Sequence, residues 1–347
     1  MRDQRDVVLH LGTGKTGTTS IQHLMRLSRP ALAEIGVLYP ITPGPVRHTK
    51  FGLSFRDDDD LATMPAWKRM RAQSPERFRR RVQRKLRAEI AEADLPRVLF
   101  SDEALYGFHG ETLARLRQFT DELGGHVRLV VYLRRQDDHL VSYYQQQVKV
   151  GETQRLAEWA TVDRSSTYDY ARRLAQWREG MEHAELVVRR FERSAFRDGS
   201  LEADFLEAAD IQGVPATPVE RKNESLSAEA VEFFRVYNLC VAEYGDAGVD
   251  RIALVNRLVD RSTGPALTLT GSALDSFMGR WQESNRTVAR EHFGSDELFL
   301  DPRKSSATTA EQRLDPSRVE HYLELAELPS AMRDALYRIA VRESDRS

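Results

Sequence analysis

Residues Val7 to Gln22, VVLHLGTGKTGTTSIQ, impose the strongest constraint on this chain. An apolar run of strand type passes into a short connection rich in glycine and threonine, with one lysine, and that connection opens a helix. The first amide N–H groups of a helix have no intrahelical partners. Together with the positive end of the helix dipole and the mobile charge of Lys15, they form a cradle for a phosphate or sulfate group. A glycine-rich strand-to-helix turn without a ligand is the plainer alternative. Several threonines and a lysine in so short a connection are nevertheless chemically pointed.

The phosphate loop of nucleotide hydrolases reads G-x-x-x-x-G-K-[ST], and counting back from Gly14-Lys15 places Leu9 where its first glycine belongs. A second constellation lies at Val130 to Val148, VVYLRRQDDHLVSYYQQQV, again an apolar strand, a polar turn and a helix. Its landmarks are Arg134 at the strand end and Ser142 in the following helix, before Tyr143 and Tyr144. A guanidinium makes forked, charge-assisted hydrogen bonds to phosphate, and a hydroxyl supplies a further donor. The alternative is that Arg134 or Arg135 caps a surface turn and Ser142 is an ordinary helix residue.

Together, Lys15-Thr16-Gly17-Thr18-Thr19 after one strand and Arg134 with Ser142 after another resemble the donor-binding loops of sulfotransferases that use 3'-phosphoadenosine-5'-phosphosulfate (PAPS). The resemblance covers mainly residues 5–30 and 95–150. It implies that Gly14, Lys15, Thr16, Gly17, Thr18 and Thr19 hold the 5' end of the donor, that Arg134 and Ser142 hold its 3'-phosphate, and that adenosine-3',5'-bisphosphate (PAP) is the product. The family often returns a basic or Asn-containing loop to the donor, a part that Arg221 or Asn223 in Arg221-Lys222-Asn223-Glu224-Ser225 would play; Ser225 and Ser227 are also plain helix-cap material. Cytosolic members carry a tryptophan after the lysine loop that stacks on adenine, whereas this chain has Ser20. Adenine must then be held differently or less tightly.

Sulfuryl transfer needs an acceptor in line with the leaving phosphate, a base for its proton, and positive charge on the oxygens as the S–O bond breaks. The group carries less charge than a phosphoryl group, so no metal is expected; Lys15 with backbone donors can neutralise the leaving group. The segment PRVLFSDEALYGF, residues 96–108, stands where cytosolic family members carry a catalytic histidine after a strand. Here it offers Ser101, Asp102 and Glu103, and family branches acting on glycans use glutamate as base. Glu103 is therefore the expected base and Asp102 the second candidate, the alternative for Glu103 being a carboxylate favoured by a helix dipole. His48, in VRHTKF, is a further catalytic candidate, because imidazole titrates near neutral pH and a mobile loop can bring it to the acceptor; a solvated loop histidine is the alternative. His10 and His139 are expected at packing or surface positions.

Four short apolar runs, Val7 to Leu11, Arg97 to Ser101, Val127 to Leu133 and Glu185 to Phe191, alternate with segments of helical character. They predict an α/β fold with a P-loop-like parallel sheet flanked by helices, and ligands beyond the carboxyl ends of the strands, where Lys15, Glu103 and Arg134 sit. Residues 1–225 are expected to form the nucleotide-binding core and 226–347 a largely helical part packed on it. Pro40 to Pro65, rich in Pro, Gly and Asp, reads as a long surface loop. Pro75 to Ala93 carries Phe78, Val82, Leu86 and Ile90 on one helical stripe, with arginines and a lysine around it as a solvated face or an electropositive wall.

A net charge of −2 over 347 residues argues against a general nucleic-acid binder. The single cysteine, Cys240, excludes intramolecular disulfides and cysteine-rich zinc sites. No apolar run is long enough to cross a bilayer, and MRDQRD leads into a strand without a secretory segment, so a cytoplasmic enzyme is the expectation. The expected reaction is sulfuryl transfer to a hydroxyl or amine on a small-molecule or glycan acceptor. Its rivals are a P-loop kinase or ATPase, supported by Gly14-Lys15-Thr16, and a non-catalytic nucleotide- or glycan-binding protein.

Overall fold

The computed structural model describes residues 4–70, 74–218, 225–245, 248–303 and 307–345. They divide into two compact units, one from the described parts of 1–134, 164–221 and 283–301, the other from those of 135–163, 222–282 and 302–347. In place of a single cut near residue 225, the chain therefore passes between units several times. Apolar surface explains one return to the first unit: Val288, Ala289 and Leu298 share a core cluster with residues of its sheet.

The first unit is built on five parallel strands, β1 (Arg5–Leu11), β2 (Val37–Leu38), β3 (Arg97–Asp102), β4 (Gly124–Leu133) and β5 (Glu185–Arg190), in the order β2-β3-β1-β4-β5. Successive side chains of a strand point to opposite faces, and here both faces are apolar. Val7, Leu9 and Leu11 join Val98, Phe100, Leu129, Val131 and Leu133 in one core cluster. Val8, Leu99, Val130 and Tyr132 enter the cluster on the other face, with Ile21, Leu24 and Met25 of the helix Thr18–Leu27. The α/β fold with a parallel sheet flanked by helices is thus present. The chain visits β2 and β3 on one side of β1 and then β4 and β5 on the other, which makes the carboxyl end of β1 a topological switch point, where open parallel sheets bind ligands.

The Pro40 to Pro65 segment departs from the expected surface loop. It contains the short helices Thr49–Leu53 and Asp58–Thr63, and Phe51, Leu53, Phe55 and Leu61 are buried. Phe51 stacks on Phe100 of β3 with ring centroids 4.0 Å apart and meets Phe55 and Phe119 edge-on. Spaced aromatic residues outweigh the local turn-forming composition, because each ring withdraws a large apolar area from water. Beyond it, the helix Pro75–Ala93 buries the anticipated stripe of Phe78, Val82, Leu86 and Ile90.

The second unit is mainly helical, including Gln136–Val150, Ala228–Tyr244, Arg251–Arg261, Val319–Ala326 and Arg333–Ser344, with a small parallel pairing of Ala266–Leu267 and Thr309–Ala310. The helix Ala228–Tyr244 is buried on most sides, and Phe233 stacks on Tyr322 at 5.0 Å. Cys240 is buried in this helix. Among the described residues no helix is long and apolar enough to cross a membrane. Phe51→Ala is expected to lower the unfolding free energy by about 3–5 kcal/mol, the cost of deleting a buried aromatic ring. Denaturant unfolding measures it, and a loss below about 1 kcal/mol would remove this segment from the core.

Candidate functional site

The loop after β1 has an unusual backbone. Gly14, Lys15 and Gly17 adopt left-handed conformations, with φ of 65°, 53° and 71°. Glycine does so without penalty, whereas Lys15 crowds its Cβ at a cost of about 1–2 kcal/mol. Backbone N–H groups in turns of this kind can form a concave nest that suits an anion. Gly17 is also the N-cap of Thr18–Leu27 and offers no side-chain cap, and the first intrahelical bond runs from the Ile21 N–H to the Gly17 carbonyl at 3.2 Å. Thr16 is buried, and so is the Thr18 hydroxyl, which has no hydrogen-bond partner among the described residues.

Two bonds tie this loop to the end of β4. Thr13 Oγ1 donates to the Tyr132 carbonyl at 2.7 Å, and Arg134 Nη1 donates to the Lys15 carbonyl at 2.7 Å. The Arg134 guanidinium lies 5.7 Å from the Phe191 ring centroid, and the Arg134 carbonyl accepts from Tyr170 Oη at 2.5 Å. Arg134 and the lysine loop therefore share one rim. Arg135 serves its own turn, with Asp137 at 2.9 Å and Asp138 at 3.0 Å. Ser142 belongs to the helix Gln136–Val150 of the second unit, where it is half-buried. Arg221 and Asn223 lie outside the described residues.

On the other side of β1, Leu11 pairs with Asp102, the last residue of β3, and Glu103 follows beside Gly12. A methyl group at Gly12 would lie 2.9 Å from Glu103 Cα, Glu103 Cγ and Thr18 Cγ2. Only glycine allows the stem of Glu103 to pack so closely against the loop. Asp102 is fully buried, and Glu103 is one-third exposed. Both meet Arg47, whose Nε lies 2.9 Å from Asp102 Oδ1 and whose Nη1 lies 3.2 Å from Glu103 Oε2. Burial raises the pKa of Asp102, opposed by the Arg47 charge and the Ala104 N–H. Asp102 Oδ2 is buried without a hydrogen-bond partner among the described residues and packs so near Gly52 that a Cβ there would come within 2.2 Å of it.

His48 is fully buried rather than poised on a mobile loop. Its Nδ1 accepts from the Ser101 N–H at 3.2 Å and its Nε2 donates to the Pro40 carbonyl at 2.9 Å, so both ring nitrogens are spent on backbone. Burial lowers its pKa to about 3 despite the Pro40 bond. His10, on β1 beneath the loop, is likewise lowered to about 3 by burial, with Nδ1 2.8 Å from Ser101 Oγ. His139 is also buried, in the second unit. Sequence reasoning missed Arg47 and Tyr170, since neither belongs to a strand-turn-helix motif.

No family model matches the chain, and no solved structure matches it. A curated relative, an "Uncharacterized protein" of Archaeoglobus fulgidus, is 30% identical over 208 residues, which are 58% of this chain and 55% of the relative. The chain thus spans about half the length of the curated relative it matches.

Gly12→Ala should force Glu103 and Thr18 aside and cost about 1–3 kcal/mol, as overpacking does. Amide NMR shifts confined to residues near 12, 18 and 103, with the helical content retained, would bear this out; unchanged shifts would contradict the close packing. The two buried histidines also set a pH dependence. Their folded pKa values lie below the unfolded 6.5, so the unfolded chain binds more protons between about pH 6.5 and pH 3. Their contribution is complete above pH 6.5 and is lost as pH falls, by up to about 1.4 kcal/mol per pH unit for each. Denaturation at pH 7, 6 and 5 should show a shallower decline for His48→Gln than for the wild type; equal slopes would count against a neutral buried His48.

Proposed function

We propose that this protein moves a sulfuryl group from 3'-phosphoadenosine-5'-phosphosulfate to a hydroxyl or amine acceptor, with a carbohydrate among the acceptors that suit it. The observation that carries the reading is one rim at the carboxyl edge of the sheet. There the left-handed lysine loop accepts a hydrogen bond from Arg134 at the Lys15 carbonyl and, at Gly12, packs against the stem of Glu103. The donor set fits an anionic phosphosulfate: backbone N–H groups at the loop and helix start, the charge of Lys15, and an arginine beside them. Bound donor supplies the activated sulfuryl group and, as leaving group, the phosphate of adenosine-3',5'-bisphosphate.

The protein's own residues then divide the work. Lys15 and the loop amides hold the negative charge that grows on the leaving phosphate oxygen as its bond to sulfur breaks. Glu103 takes the proton of the acceptor as the acceptor's oxygen or nitrogen bonds to sulfur. Geometry favours Glu103 among the three candidate bases. Asp102 has no exposed surface and is bound to Arg47 and the Ala104 N–H, and His48 has no ring nitrogen to offer. Glu103 alone of the three combines partial exposure with contact to the loop.

Calorimetry with adenosine-3',5'-bisphosphate, AMP and magnesium-ATP tests the reading. The bisphosphate should bind best, Lys15→Ala should abolish sulfated product, and Arg134→Ala should weaken bisphosphate binding about ten- to hundredfold, the worth of hydrogen bonds to a charged group. Equal loss for AMP would move Arg134 from the 3'-phosphate to the 5' end. Preference for ATP with a magnesium requirement would instead indicate a kinase or ATPase. Tight bisphosphate binding without product across a broad acceptor panel would indicate a non-catalytic binding protein.

A further inference from the structure

We infer that Arg47 is a positioning residue for Glu103, delivered to the rim by a clip formed from residues 40–48. Its guanidinium forks across two neighbouring carboxylates, Nε to Asp102 Oδ1 at 2.9 Å and Nη1 to Glu103 Oε2 at 3.2 Å. A planar fork spans such a pair, whereas a lysine ammonium is a single point of charge on a flexible stem.

The clip fixes where that fork lies. The His48 N–H donates to the Ser101 carbonyl at 3.1 Å while the Ser101 N–H donates to His48 Nδ1, so the residue after Arg47 is locked to the strand that ends in Asp102. From the opposite side, Arg29 donates to the carbonyls of Tyr39 at 2.9 Å and Pro45 at 2.7 Å, and Tyr39 Oη donates to the Val46 carbonyl at 2.5 Å. Asp102 Oδ1 also takes the Ala104 N–H at 3.2 Å, which closes the turn around Glu103.

Chemistry explains why the fork is needed. A buried carboxylate without a nearby cation is costly, and Asp102 has one oxygen with no hydrogen-bond partner among the described residues. Arg47 supplies the countercharge for Asp102 and holds Glu103 with its remaining arm. Glu103, the exposed member, can leave that arm to take a proton while Arg47 stays anchored on Asp102.

Among the described residues, Asp102 on its own strand end and Arg47 on the clip are charged groups that act on Glu103. Arg56 reaches the Ala104 carbonyl at 3.4 Å. Tyr39 and His48 stay uncharged near neutral pH, since burial raises the one and lowers the other.

The functional meaning of this inference rests on the proposed role of Glu103 as base, but its test does not. Full-length protein carrying ¹³Cδ-glutamate and ¹⁵Nη-arginine labels would be titrated by NMR, with Glu103→Gln and Arg47→Lys assigning the signals. In the wild type the Arg47 Nη signal should change with pH together with the Glu103 carboxylate signal, and it should cease to do so in Glu103→Gln. Arg47→Ala should lower kcat for donor turnover about tenfold or more. Arg47→Lys, which keeps the charge but not the planar fork, should not restore turnover.

An Arg47 Nη signal that is the same in the wild type and in Glu103→Gln overturns the inference. The wild type and Glu103→Gln decide it even if Arg47→Ala does not fold. Coupled titration in a protein that fails to bind adenosine-3',5'-bisphosphate would leave the positioning role standing and remove the sulfuryl-transfer reading. Donor turnover with uncoupled titration would do the reverse.

Discussion

The candidate site depends on the double pairing of β1. Leu11 lies level with Asp102 on one side and with Val131 on the other, so the chain leaves β1 at Gly12 between a carboxylate pair and the strand that leads to Arg134. Each ladder bond contributes little by itself. What they impose together is register, because a slip of one residue would exchange the two faces of the strand. Both faces of β1 are buried, so hydrophobicity alone discriminates weakly between the two registers. His10 supplies the missing discrimination: its imidazole reaches Ser101 Oγ, which Gln22 also contacts at 3.3 Å, and in the slipped register it would lose that partner.

Charge is arranged around this frame by burial. The lysine loop and Arg134 bring positive charge to the rim, while Asp102 and Glu103 bring negative charge to its other side. In a low-dielectric setting such charges cannot stand alone. Arg47 reconciles them by bridging the two carboxylates, and the fully buried member gives the exposed one a fixed neighbour. The left-handed backbone at Lys15 belongs to the same arrangement, since its carbonyl is turned to where Arg134 can bond it.

The second unit solves a similar problem within its helices. Arg235, almost fully buried, bonds Glu232 at 2.6 Å and Glu343 at 2.8 Å, and Gln312 donates to Glu232 at 2.7 Å. These carboxylates hold the Arg235 pKa above its ordinary value even though burial acts against its charge. Such a cluster is tolerable only when every member is paired. Because Glu343 lies in the helix Arg333–Ser344, the cluster fastens that helix to Ala228–Tyr244 by a directional contact in addition to apolar packing.

Much of the fold was readable from local pattern. Runs such as Val7 to Leu11 and Val127 to Leu133 are mostly apolar, as a strand buried on both sides requires, and glycines with a lysine directly after a strand mark the loop. The stripe of Phe78, Val82, Leu86 and Ile90 likewise declared its helix. These features are encoded within a few residues, by strand and helix periods and by which residues tolerate a left-handed backbone. Tertiary structure decided the rest: that Pro40 to Pro65 is a packed segment, that His48 is a neutral clamp, that Asp102 is buried while Glu103 faces the loop, and that Arg47, 55 residues before Asp102, bridges the two. Burial and charge pairing are properties of side chains brought together from distant positions, and no local periodicity records which of them will meet.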